Sequence, residues 1–97
     1  MDGNPVYPKF ALGKVEITPD AEYLLEENMV NRDEMLYDHR CGDWGDVAKQ
    51  VWDGNSRSLE LGGLVFSVFT LGITRDRIMV ITLPDRSKTY VQLTQEI

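Results

Sequence analysis

The hydrophobic positions change period partway along the chain. From Leu12 the sequence alternates: Val15 and Ile17 share one strand face, with Lys14 and Glu16 on the other. Thr18-Pro19-Asp20-Ala21 then predicts a helix start, because Thr18 caps with its hydroxyl, Pro19 suits the first helical position and Asp20 favours the positive end of the dipole. Ala21, Leu24 and Leu25, extended by Met29, form its apolar stripe. Asn31-Arg32-Asp33-Glu34 repeats the signal, with Asn31 as cap and Glu34 closing a capping box. Met35, Leu36 and His39 lie along one side of that second helix, which Cys41-Gly42 ends with a left-handed glycine.

The chain next turns a corner at Gly42-Asp43-Trp44-Gly45-Asp46, where two glycines flank a tryptophan that packs inward. Val47 to Trp52 predicts one or two helical turns, closed by Asp53-Gly54-Asn55. Three runs of strand formers follow: Leu64-Val65-Phe66-Ser67-Val68-Phe69, Arg77-Ile78-Met79-Val80-Ile81-Thr82, and Tyr90-Val91-Gln92-Leu93. Loops of hairpin length join them, one with Gly72 and one reading Pro84-Asp85-Arg86-Ser87. The expectation is an α+β domain over residues 10–97: a short N-terminal strand, two to three helices, then an antiparallel three-stranded meander packed on the helices. Residues 1–9, with two prolines, read as a flexible leader.

Composition narrows the function classes. The chain has 97 residues, one domain's worth, and 42% hydrophobic residues, too many for a disordered chain. Its net charge of −6 lies wholly in residues 1–50, which hold five Lys/Arg against eleven Asp/Glu, whereas residues 51–97 hold five of each. That bias disfavours direct nucleic-acid binding and leaves room for an acidic face that meets a basic protein surface. With a single cysteine, Cys41, no intramolecular disulfide forms, which fits a reducing cytoplasm. No signal peptide is read at the N-terminus, and no apolar run nears the ~20 residues of a membrane helix.

The stretch around His39-x-x-Gly42-Asp43-Trp44-Gly45 resembles a family of small bacterial proteins found on plasmids and integrated elements, usually called plasmid-related. The matching positions are Leu12, Gly13, Val15, Thr18 and Pro19; His39 and Gly42 to Gly45; Asn55 and Ser67; then Ile81, Thr82, Asp85, Arg86, Ser87 and Thr89. The chain departs from the family in ending Gln95-Glu96-Ile97, and in carrying Met79 where an aromatic is common. The resemblance implies a setting, mobile elements in bacteria, more than a mechanism.

Several residues invite chemistry. His39, Cys41 and Asp43 evoke a metal site, but a zinc site needs three or four ligands and the chain has one His and one Cys. A Cys41–His39 nucleophile pair is disfavoured, since two residues of separation point side chains apart on a helix. No phosphate-cradling glycine loop is present, because Gly62-Gly63 lacks a following Lys-Ser/Thr. The carboxylates of Glu22, Glu26, Glu27, Asp33, Glu34 and Asp38 offer a weak imitation of DNA phosphates. No catalytic residue, cofactor or metal is expected. The sharpest motifs are His39, Asp43-Trp44 and Asp85-Arg86-Ser87. They read either as a contact surface, Trp44 and Arg86 being hot-spot types, or as structural devices at two turns, with His39 or Asp43 pairing with Arg86.

Two functions fit. One is a non-enzymatic domain that binds a bacterial protein, as a counter-defence inhibitor of CRISPR or restriction machinery would. The other is a ligand-binding or accessory domain using His39, Asp43 and Arg86. A homodimer through an exposed strand edge is compatible with both.

Overall fold

The computed structural model describes residues 7–96. Its elements run β1 (Lys14–Ile17), α1 (Pro19–Glu27), α2 (Arg32–Arg40), α3 (Lys49–Leu61), β2 (Val65–Thr70), β3 (Arg77–Thr82), β4 (Lys88–Leu93) and a closing 3-10 turn, Thr94–Glu96. The fold is α+β. The first six positions of the leader lie outside the described residues, and the Lys9 N–H already donates to the Arg40 carbonyl at 2.8 Å.

The helix caps form as their side chains dictate. Thr18 Oγ1 accepts from the Ala21 N–H at 3.2 Å, and Asn31 Oδ1 from the Glu34 N–H at 3.1 Å, while the return bond of the Asn31 N–H to the Glu34 carboxylate that would complete the expected capping box is not made among the described residues. Met29 does not extend the α1 stripe: it sits past the helix end at φ 56° and is 82% exposed. The third helix also differs from expectation, running 13 residues instead of closing at Asp53-Gly54-Asn55. Gly54 sits inside it with open space around its Cα, Lys49 pairs with Asp53 one turn on at 2.8 Å, and the left-handed stop is Gly62 at φ 82°.

The sheet order is β1-β4-β3-β2. The last three strands form the expected meander, but β1 joins the same sheet, parallel to β4, with Val15 beside Thr89 and Ile17 beside Val91. The sheet is therefore mixed and four-stranded. The helical crossover returns the chain to the far edge, leaving the β4 edge open to the one strand that precedes it. Strand alternation puts Val15, Ile17, Ile78, Val80, Val91 and Leu93 on the face that packs with Ala21 and Leu25 of α1 and Met35 and Leu36 of α2.

The two edges of the sheet are treated differently. On β2 the outward backbone groups of Phe66 and Val68 are occupied. The Asn55 carboxamide accepts from the Phe66 N–H at 3.0 Å and donates to the Phe66 carbonyl at 2.7 Å. The Val68 N–H donates to the Trp44 carbonyl at 3.1 Å, and its carbonyl accepts from the Asp46 N–H at 2.7 Å. On β1 the described residues place no strand beyond the one shared with β4.

Candidate functional site

His39 lies in the last turn of α2 and points onto the inward face of the sheet, where it is fully buried. Its Nδ1 is 2.5 Å from Ser67 Oγ on β2 and its Nε2 is 2.9 Å from Thr82 Oγ1 on β3. Thr82 Oγ1 is 2.8 Å from Thr89 Oγ1 on β4, and the Thr89 hydroxyl donates to the Leu12 carbonyl at 2.8 Å. The far end fixes every proton. A carbonyl only accepts, so Thr89 spends its hydrogen on Leu12 and accepts from Thr82. Thr82 then accepts from His39 Nε2–H, and neutral Nδ1 accepts from Ser67. One chain of donors thus crosses three strands, and among the described residues no buried side-chain polar atom lacks a partner.

Burial, and secondarily the positive charge of Arg86, lowers the His39 pKa from 6.5 to about 4. The ring is therefore neutral at pH 7, as the donor chain requires. A histidine whose pKa is depressed by folding contributes stability that is complete above 6.5 and is lost as pH falls towards 4, because in that window only the unfolded chain takes up the proton. The shift corresponds to about 3 kcal/mol. Urea midpoints measured from pH 7 to pH 4 are expected to fall across that window; a flat profile would show that His39 titrates normally.

The geometry of Ser67 and His39 has the look of a nucleophile and its base, yet Ser67 is fully buried, so no substrate reaches its hydroxyl. The Phe10 ring meets the imidazole edge-on at 5.2 Å, and the Arg86 guanidinium lies 5.5 Å from the same Phe10 ring. Phe10 is thus the residue that touches both, and sequence reading missed it.

The Gly-Asp-Trp-Gly corner is built from α2 outward. The Asp43 N–H reaches back to the Asp38 carbonyl at 2.9 Å, closing the helix end around Gly42 at φ 95°. Trp44 is 2% exposed, donates its indole N–H to the His39 carbonyl at 3.1 Å and stacks edge-to-face on Trp52 at 5.0 Å. Gly45 then bridges to Val68, and Asp43 faces solvent with Oδ1 3.4 Å from the Gly45 nitrogen.

The Asp-Arg-Ser loop is equally committed. Asp85 Oδ1 accepts from the Ser87 hydroxyl at 2.6 Å and the Ser87 N–H at 3.0 Å, and those bonds hold its carboxyl below the usual pKa. Arg86, at φ 60°, donates to the carbonyls of Gly63 (2.6 Å), Leu83 (3.0 Å) and Ser58 (3.1 Å). Its cation sits at the negative end of α3 and ties the β3–β4 loop to the α3–β2 connection. Among the described residues Arg86 makes no ion pair with Asp43 and no hydrogen bond with His39, so the expected pairing is not made.

A contact surface centred on Trp44 and Arg86 therefore has neither side chain available, because one is buried and the other is spent on carbonyls. What the surface does offer is a groove of about 330 Å³ between the α1–α2 loop, α2 and the end of β2. Met29, Val30, Met35, Phe69 and Leu71 line it, with Glu34 and Asp38 among the lining residues. Burial, and then the charges of Asp43 and Glu34, raise the Asp38 pKa. No Lys or Arg pairs with these three carboxylates among the described residues. Asp33 shares a shallower depression with Glu34 and Asp38, while Glu22 borders one depression with Asp33 beside β1 and another with Glu26.

Among the described residues no group of three or more His, Cys, Asp or Glu is placed to hold a metal, and no helix is long and apolar enough to cross a membrane. The chain matches no protein-family model, no curated protein and no solved structure.

Proposed function

We propose that this domain is a non-catalytic interaction protein of a bacterial mobile element, working in the cytoplasm by covering a basic surface of another protein. Inhibition of CRISPR or restriction machinery is the form that the mobile-element setting favours. The observation that carries the reading is the acid-rimmed apolar groove. Asp38 in the groove is burdened first by burial and then by the negative charges of Asp43 and Glu34, and a Lys or Arg from outside relieves that burden. Met29, 82% exposed, gives the groove an apolar lip. Ile73 lies close by, since Asn28 Oδ1 accepts from both the Ile73 and Thr74 N–H groups. A partner segment presenting one apolar anchor beside a basic residue matches this surface. A ligand role for His39, Asp43 and Arg86 has less support, because the ring and the guanidinium are occupied within the fold while Asp43 faces outward.

The test is affinity capture from bacterial lysate with the wild-type chain and with a Met29→Lys/Asp38→Lys variant of unchanged circular dichroism. Binding of the recovered protein is then measured with purified components at two salt concentrations. The expected outcome is a salt-sensitive complex weakened roughly tenfold or more in the variant. A partner held equally well by both chains, or no specific partner, rejects the groove as the contact surface.

A further inference from the structure

The contrast between the two sheet edges leads to a second surface, independent of the acidic groove. Natural sheets protect their edges, and β2 is protected at Phe66 and Val68 by a side chain and by a returning loop. The outer edge of β1 has no such cover among the described residues. The Lys14 N–H donates to the Ser87 carbonyl at 2.9 Å and the Thr18 N–H to the Val91 carbonyl at 3.0 Å. The even positions therefore serve β4, and the backbone groups of Val15 and Ile17 face outward.

We propose that β1 pairs antiparallel with β1 of a second copy, making a two-fold dimer with one continuous eight-stranded sheet. The charges beside this edge are self-complementary on both faces of the sheet. A two-fold axis at Val15 sets Val15 against the same residue of the second copy, in the position where the two exchange N–H and carbonyl bonds. It places Lys14 opposite Glu16 of the second copy, twice. Within one chain the Glu16 carboxylate is held by Lys88 at 3.1 Å and more loosely by Lys14 at 3.9 Å, so Lys14 is the cation left to reach across to the second copy.

The helix above the edge obeys the same symmetry. A depression of about 290 Å³ is lined by Leu12, Val15, Asp33, Leu36, Tyr37 and Arg40, and its neighbour of about 440 Å³ by Val15, Ile17, Arg32, Asp33 and Leu36 with Glu22. α2 thus runs back along β1, its C-terminal end over Leu12 and its N-terminal end over Ile17. The two-fold axis that joins the β1 strands therefore brings Asp33 of one copy towards Arg40 of the other. The Asp33 side chain is 90% exposed, and Arg40 is held beside the edge by its Nε–H donated to the Phe10 carbonyl at 2.9 Å. Val15, half-buried in one copy, meets its symmetry mate at the axis and supplies the apolar contact there, while Leu36 stays in the core of each copy.

Sedimentation equilibrium on the full chain, from micromolar to millimolar concentration, tests the proposal. The wild type is expected to be a dimer. Val15→Pro removes an N–H that the β4 ladder does not use, so the fold is retained, checked by circular dichroism, while the dimer dissociation constant rises roughly a hundredfold. Asp33→Arg sets like charges across both symmetric contacts and is expected to weaken the dimer roughly tenfold, which keeps the proposal testable if the proline variant fails to fold. A wild type that stays monomeric overturns it, including the case in which the edge receives an extended segment of an unrelated protein. So does a dimer whose dissociation constant neither substitution changes.

Discussion

His39→Ala is expected to cost the domain about 3–5 kcal/mol. The ring fills a fully buried position between α2, β2 and β3, and removing it leaves a cavity. It also strands polar groups: Ser67 loses its acceptor and Thr82 its donor, in a region with no water-facing alternative. Set against a typical domain stability of roughly 5–15 kcal/mol, the variant approaches unfolding at room temperature. Urea denaturation with an unchanged slope checks it, and the variant also loses the stability change between pH 6.5 and 4. A cost under about 1 kcal/mol would mean that the donor chain holds nothing together.

The second large effect comes from Gly45→Ala, expected to destabilise by about 2–4 kcal/mol. Gly45 has φ 70°, and a Cβ there runs into the Val68 carbonyl, the group on which the Asp46 N–H closes the β2 edge. The Phe69 ring carbons, at 2.9 and 3.1 Å from that Cβ, block retreat in the other direction. Gly54 supplies the internal comparison. It lies within α3 with open space around it, so Gly54→Ala is expected to stabilise by about 0.5–1 kcal/mol. Thermal unfolding of both variants should show shifts of opposite sign; two shifts of the same sign refute the packing argument at Gly45.

Local signals in the sequence were the readable ones. Thr18-Pro19 and Asn31-x-x-Glu34 cap their helices because the chemistry involves residues three apart. The meander strands follow from composition and loop length. α3 was cut short because Asp53-Gly54-Asn55 is turn composition, and only burial against β2 makes Asn55 a helix residue whose carboxamide stands in for a strand. The β1–β4 pairing joins Lys14 to Lys88, a separation over which no local pattern acts. At the candidate site, His39 and Trp44 were picked out with a contact-surface reading and a structural reading both left open, and the role of Ser67, Thr82 and Thr89 was not seen. The signal was present: hydroxyl residues stand on inward strand positions where apolar ones otherwise alternate, in a chain with a single histidine. Phe10 carried no signal, since its contacts with His39 and Arg86 come from parts of the chain far from it in sequence.

The Asn55 carboxamide on Phe66 and the loop on Val68 also limit how copies of this protein add to one another. A strand-built fibre grows only if each unit has two reactive ends, one to receive and one to offer. With β2 stopped at those two residues, each unit has a valence of one, and an association through β1 ends at the pair instead of propagating. Asn55→Ala opens only the stop at Phe66, and the loop on Val68 still holds the valence at one, so a closed association becomes a polymerising one only when both stops are lost.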